Sequence, residues 1–332
     1  MIKKLTYVET ENTNPYHNLA LEKVLLDNVE KDQCILYLWQ NKNTVVIGRN
    51  QNSWKECKVD FLEENGGHLA RRLSGGGAVF HDLGNLNFTF LVHKDNYSVE
   101  RQLQVIIKAL EKFGLKVERN GRNDITIDER KFSGNAFFKS GDNCYHHGTL
   151  MVNVNMQDLS KYLNVSKEKL KSKGVDSVKS RVINLSSLCK DITIASLKEK
   201  LIEAFGETYN CIPDKLDEND IDEKILQERI EEFQSWQWRY GRKIDFKYEL
   251  GRRFQWGDIN IQFNIKSGII DDIEIYSDAM EQDFIIDIKH LINKTIFDKA
   301  KICEKLSKYQ CKESMEEKMV QDISLLIKEQ DM

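Results

Sequence analysis

Three consecutive glycines in the run RRLSGGGAVFHDLGN (residues 71–85) set the sharpest local constraint on this chain. Glycines remove side chains from a surface and permit main-chain angles closed to other residues, so their amides can turn toward an anion. The run feeds directly into LNFTFLV (86–92), where Leu86, Phe88, Phe90 and Val92 fall on one side of an extended strand. The glycines are therefore expected at a sheet edge that a ligand can approach. Arg71 and Arg72, just ahead of them, suit paired hydrogen bonds to phosphate. A flexible loop with two solvent-facing arginines fits the same residues. The run lacks the terminal Gly-Lys-Ser/Thr of a P-loop and the spacing of a dinucleotide fingerprint.

On either side, short strand-forming stretches alternate with helical faces. CILYLW (34–39) and TVVIG (44–48), split by the polar NKN, read as a strand, turn, strand unit. Residues 18–26 predict a mostly buried helix, and Leu103, Ile106, Ile107, Leu110 and Phe113 mark another that ends at Gly114. ITID and TLMVNVNM favour strands, with turns near 128–130 and 141–143. Ile194, Leu197, Leu201 and Phe205 form a further helical face, and the charged region 214–232 includes a second helix. Beyond a boundary near Lys243, Ile259, Ile261, Phe263 and Ile265 alternate with polar residues. A Ser267-Gly268 turn then leads into IIDDIEIY, a hairpin pattern followed by helices around 280–292 and 315–328.

With 332 residues the chain exceeds the usual size of one domain, so two are expected. A net charge of -4, with basic residues dispersed, gives no argument for nucleic-acid binding. Seven widely spaced cysteines with no CxxC pair fit free thiols in a reducing compartment and give zinc no support. The N-terminus turns polar before it could supply a signal core, and no stretch is long and apolar enough to cross a bilayer. A cytoplasmic location is expected, without a membrane partner.

Two polar units could carry chemistry. In NGRNDITIDERKFSGNAFF (120–138), Asp124 could hold magnesium between phosphates or simply make an Asx turn. Lys131 could touch a carboxylate and a phosphate at once, or face solvent like most lysines. In YHHGTLMVNVN (145–155), His146 or His147 could orient a ligand or be structural, and Gly148 could let the strand pass close to a pocket.

The ordered set TVVIGRNQNSWKEC, LARRLSGGGAVFHDLGNLNFTF, GRNDI, RKFSGNAFF, HHGTL and KGVDSVKSRVINL resembles the lipoate-protein ligase A family across most of residues 30–190. WQWRYG (236–241) fits that family's domain junction, and the remainder resembles its accessory domain by placement and length. The resemblance implies an α+β fold: a large mixed-sheet catalytic domain of the biotin/lipoate ligase type, residues 1–243, and a small α+β C-terminal accessory domain, 244–332. It implies two half-reactions, in which lipoate and ATP give lipoyl-AMP and pyrophosphate before a lysine takes the lipoyl group as an amide. ATP, Mg2+ and lipoate enter as cosubstrate, metal and substrate, with no tightly bound cofactor. Acceptors would be lipoyl-domain proteins of 2-oxoacid dehydrogenase complexes or glycine cleavage H protein.

Carried onto this chain, the resemblance assigns Arg72, Gly75, Gly76, Gly77, Ala78, Val79 and Phe80 to the nucleotide. It assigns Lys131 to catalysis with both nucleotide and lipoate, His81 and His147 to the lipoate pocket, and Asp124 to the metal. Val46, Ile47, Val79, Phe88 and Phe137 could line an apolar lipoyl pocket or belong to the core. Two enzyme alternatives stay open. One is a biotin-protein ligase; the other is an acyl transferase working through a cysteine thioester, for which Cys144 beside the HHG unit is the residue to check.

Overall fold

A computed structural model describes residues 2–120, 124–164, 182–240 and 248–330. It groups them into two compact units. One holds Met1–Val46, Glu56–Arg71 and Ala78–Arg239; the other holds Ile47–Lys55, Arg72–Gly77 and Tyr240–Met332. The boundary expected near Lys243 and most of the KGVDSVKSRVINL segment lie outside the described residues.

The strands, in chain order, begin with β1 (Lys4–Glu9), β2 (Gln33–Trp39), β3 (Thr44–Ile47), β4 (His68–Arg71), β5 (Val79–His81) and β6 (Asn85–His93). They continue with β7 (Glu118–Asn120), β8 (Asp124–Ile127), β9 (Arg130–Ser140), β10 (Asn143–Met151) and β11 (Pro213–Lys215). Among the described residues, eight of these form one mixed sheet in the order β11-β1-β2-β6-β10-β9-β8-β7. β1 runs parallel to β2 and β11, while β6, β10, β9 and β8 pair antiparallel with their neighbours.

Helices cover both faces of this sheet. Cys34, Leu36 and Leu38 of β2, with Phe88, Phe90 and Val92 of β6, pack against helices Val99–Glu111 and Ile194–Tyr209 to form the main core. Helix Pro15–Asn28 lies on the other face, against β2, β6 and β10. Asn14 caps it by accepting from the Tyr16 N–H at 2.9 Å, and Pro15 sits where a missing N–H costs nothing. Because both faces are covered, β6 is buried on its Asn87 and Thr89 side as well as on its phenylalanine side.

The strand, turn, strand reading of residues 34–48 is corrected in one respect. β2 and β3 do not pair: β3 is the middle strand of a separate sheet, β4-β3-β5. The glycine run joins β4 to β5, the two edges of that small sheet, whereas β6 lies inside the large one. The edge position expected for the glycines is met by a sheet the sequence did not reveal.

In the second unit β12 (Tyr248–Arg253), β13 (Asp258–Lys266) and β14 (Ile269–Ser277) form an antiparallel sheet. Helices Gln282–Ile292, Lys299–Leu306 and Ser314–Lys328 complete its core. Ser267 and Gly268 both take positive φ (51° and 74°), as a two-residue hairpin turn requires. Ile259, Ile261 and Phe263 are fully buried, but a register shift at Asn264/Ile265 leaves Ile265 only partly so. Among the described residues no helix is long and apolar enough to cross a membrane.

Candidate active site

The glycine loop belongs to the second unit, and each glycine has its own reason to be there. A Cβ on Gly75 would sit 2.3 Å from the Ala279 carbonyl oxygen, so main chain packs against main chain. Gly76 has φ +88°, in the left-handed region that favours glycine, and its N–H donates to the same carbonyl at 3.2 Å. At Gly77 a Cβ would meet nothing within 4 Å, so there the missing side chain leaves open space.

Arg72 shapes this loop from within. Only 6% exposed, it donates from Nε to Ser74 Oγ at 3.1 Å and from Nη2 to the Gly75 and Gly77 carbonyl oxygens at 2.7 and 2.8 Å. Because a trans peptide sets its N–H opposite its C=O, the N–H groups of Gly76 and Ala78 point away from the guanidinium. Arg72 thus turns two loop carbonyls inward, which leaves the Gly77–Ala78 amide N–H facing away from it.

Arg71 departs from the expectation that the adjacent arginines act together. Its Nε and Nη2 donate to the main-chain oxygens of Trp238 and Arg239, both at 2.8 Å, which gives it a structural part in the first unit.

The remaining assigned residues lie in the first unit. Lys131 of β9 extends over Gly134, its Nζ 3.3 Å from where a Cβ there would stand, so the glycine makes room for the lysine chain. The Gly134 N–H donates to Thr149 Oγ1 of β10 at 3.2 Å. Asp124 begins β8 and pairs in register with Gly134; its side chain lies outside the described residues. Among the described residues no group of three or more His, Cys, Asp or Glu side chains is placed to hold a metal.

Strand alternation sends the two histidines of β10 to opposite faces. His146, fully buried, meets the side-chain amides of Gln102 (3.1 Å) and Asn135 (2.8 Å) and packs edge-on against Phe88. It is a core histidine. His147 faces helix Pro15–Asn28, with Nδ1 2.9 Å from Glu22 Oε1 and its ring 4.6 Å from that of Tyr145. His81 of β5, 4% exposed, lies 3.2 Å through Nδ1 from Asn41 Nδ2 and meets the Trp39 ring edge-on.

Neighbouring expectations need adjustment. Phe80 is buried and stacks on Tyr162, while Val79 is partly exposed. Phe88 belongs to the core. The space over Gly148 is taken by the Phe88 ring and the Gly134 carbonyl, 2.6 and 2.8 Å from a Cβ there, so that glycine serves close packing. Cys144 is 4% exposed, and burial pushes its thiol up, away from the thiolate a thioester mechanism needs. Sequence reasoning passed over Glu22. A carboxylate amid the apolar residues of a helix buried on most sides was the signal for it.

Residues 14–206 match the family described as Lipoyl protein ligase A/B catalytic domain, and residues 243–327 match the Bacterial lipoate protein ligase C-terminus. The chain is 41% identical over 304 residues to lipoate-protein ligase A of Psychrobacter cryohalolentis, spanning 89% of this chain and 90% of that protein. The crystal structure of P. falciparum LipL1 in complex with lipoate superposes with a TM-score of 0.86 at 31% identity, covering 98% of this chain and 100% of that one. A lipoate-protein ligase A bound with ATP gives 0.62 at 26% identity, covering 73% and 99%. Both family models and a relative of this identity and coverage point the same way, and the chain belongs to the lipoate-protein ligase A family.

Proposed function

We propose that this ligase activates lipoate with ATP and transfers the lipoyl group to a specific lysine of lipoyl-domain proteins, forming an amide. The lipoate carboxylate attacks the α-phosphorus and pyrophosphate leaves; the lysine amine then attacks the carbonyl and AMP leaves. The observation that carries this reading is the Arg72-stapled loop with open space at Gly77. The relatives solved with lipoate and with ATP support the same substrates here.

Adenylation brings two anions together, so it needs charge stabilisation and in-line placement more than a protein nucleophile. Arg72, Gly75, Gly76, Gly77, Ala78, Val79 and Phe80 are assigned to the nucleotide. Lys131 is assigned to the meeting carboxylate and phosphate, and His81 and His147 to the lipoate. Magnesium, when bound, would neutralise phosphate oxygens, with Asp124 as the residue proposed to hold it. In this reading residues 1–243 form the catalytic domain and 244–332 the accessory domain. The acceptors are lipoyl domains of 2-oxoacid dehydrogenase complexes or glycine cleavage H protein, in the cytoplasm.

The test is lipoate-dependent exchange between ATP and labelled pyrophosphate, with magnesium and without any acceptor. Exchange is expected. Folded enzyme that exchanges with neither lipoate nor octanoate would overturn the adenylation reading.

A further inference from the structure

Helix Pro15–Asn28 is largely apolar, yet it buries the carboxylate of Glu22 to 1% exposure. A carboxylate taken out of water is costly unless it is paired and hydrogen-bonded. Glu22 is both. The Thr89 hydroxyl donates to its Oε1 at 2.7 Å, and His147 Nδ1 lies 2.9 Å from the same oxygen. Trp39 Nε1 donates in turn to Thr89 Oγ1 at 3.1 Å, so the threonine proton is directed at the carboxylate.

We infer that Glu22 is a positioning residue for the transfer half-reaction: it holds His147 with its Nδ1–H on the carboxylate, so that Nε2 takes the proton of the acceptor lysine. This rests on the ligase reading above and adds to it a proton acceptor and the residue that sets it.

The chemistry separates the two half-reactions. Lipoate reaches ATP already as a carboxylate, with no proton to lose. The acceptor lysine, with an ordinary pKa of about 10.4, arrives as an ammonium without a lone pair. Nε2 accepts one proton from that ammonium, and the freed amine forms a bond to the lipoyl carbonyl carbon. The bond from that carbon to the AMP oxygen breaks, and its electron pair leaves with AMP. The second amine proton passes to solvent as the amide forms, and His147 later returns its own proton to water. A carboxylate behind the ring stabilises the imidazolium formed in between.

The sheet register supports the placement. His147 pairs with Ala136 of β9, two residues from Gly134, and Thr149 is two residues along β10 on the same face. Gly134 binds the Thr149 hydroxyl and lies under the Lys131 ammonium. His147 therefore shares a sheet face with the lysine assigned to the acyl phosphate, about 7 Å along the strand from Thr149.

The two half-reactions can be measured apart, as pyrophosphate exchange and as single-turnover transfer from preformed lipoyl-AMP to an isolated lipoyl domain. In Glu22→Gln the ratio of transfer rate to exchange rate is expected to fall at least about tenfold, a part of the roughly hundredfold or more that the general base it positions would contribute. Added to His147→Gln, the same change should lower that ratio no further, because Glu22 acts through the histidine. Nitrogen-15 NMR of the unmutated protein should show His147 protonated at Nδ1, a reading that stands even if a variant fails to fold. An unchanged ratio in Glu22→Gln, additive losses in the double variant, or a bare Nδ1 would overturn the inference while leaving the ligase reading intact. Absence of exchange from the unmutated enzyme would remove both.

Discussion

Arg71 and Trp238 exchange hydrogen bonds: the arginine Nε donates to the tryptophan carbonyl at 2.8 Å, and the indole Nε1 donates to the arginine carbonyl at 2.8 Å. The Trp238 ring also meets Phe233 edge-on at 5.2 Å, so a phenylalanine at 238 would keep an aromatic ring beside Phe233 and lose the indole donor. Trp238→Phe is expected to cost about 1–3 kcal/mol, the range for a partly buried carbonyl deprived of its partner. Urea unfolding measures it. An unchanged midpoint would show that the indole hydrogen bond contributes nothing.

Arg72 makes a different kind of prediction, because its planar fork reaches Ser74, Gly75 and Gly77 together. A lysine keeps the charge but cannot hold those groups in one plane. Arg72→Lys is therefore expected to raise the ATP KM of the exchange reaction by about tenfold, equivalent to roughly 1.4 kcal/mol, with little change in the lipoate KM. Equal ATP KM values would mean that charge alone matters and that loop shape does not.

Lys131 lies partly exposed over a glycine, so truncating it opens no buried cavity. Lys131→Ala should keep its thermal midpoint while losing lipoate-dependent exchange by at least about a hundredfold, as expected when a charge aimed at the reacting atoms is removed. Comparable exchange from the folded variant would end the catalytic assignment.

Some of this was legible in the sequence, and the reasons it stopped are physical. Ile259, Ile261 and Phe263 alternate plainly and are buried, but the bulge that turns Ile265 partly outward depends on pairing with β14. Helix Lys299–Leu306 escaped notice because only Ile302 and Leu306, one turn apart, are buried. β2 and β3 are neighbours in sequence and belong to separate sheets, since strand pairing is decided by the whole fold. Alternation dictates that His146 and His147 part company, yet no local pattern says which one enters the core. Glu22 meets its histidine 125 residues away, beyond any window of periodicity.

Cys144 tests the thioester alternative. Burial raises its thiol, and the lysines at 139 and 94 offset this only in part. Cys144→Ser should keep at least about half of the ATP-dependent activity, because adenylation requires no protein nucleophile. A severe defect in a folded variant, together with acyl-enzyme in the unmutated protein by mass spectrometry, would move the mechanism to acyl transfer.

Asp271 provides a pH signature within the second unit. Hydrogen bonds from Lys266 and Lys294 hold its carboxyl down at about 2, below the ordinary 3.8. A folded-state value below the unfolded one means that the pairing stabilises the fold above about pH 4 and is lost as pH falls through about 2. The carboxyl is exposed, so salt should screen the effect and its share of stability is small. Carbon-13 NMR of the Asp271 carboxyl reads the titration directly. The midpoint should move toward 3.8 in Lys266→Met and further in the double variant with Lys294→Met. A midpoint already at 3.8 in the unmutated protein would mean that neither lysine holds the carboxylate in solution.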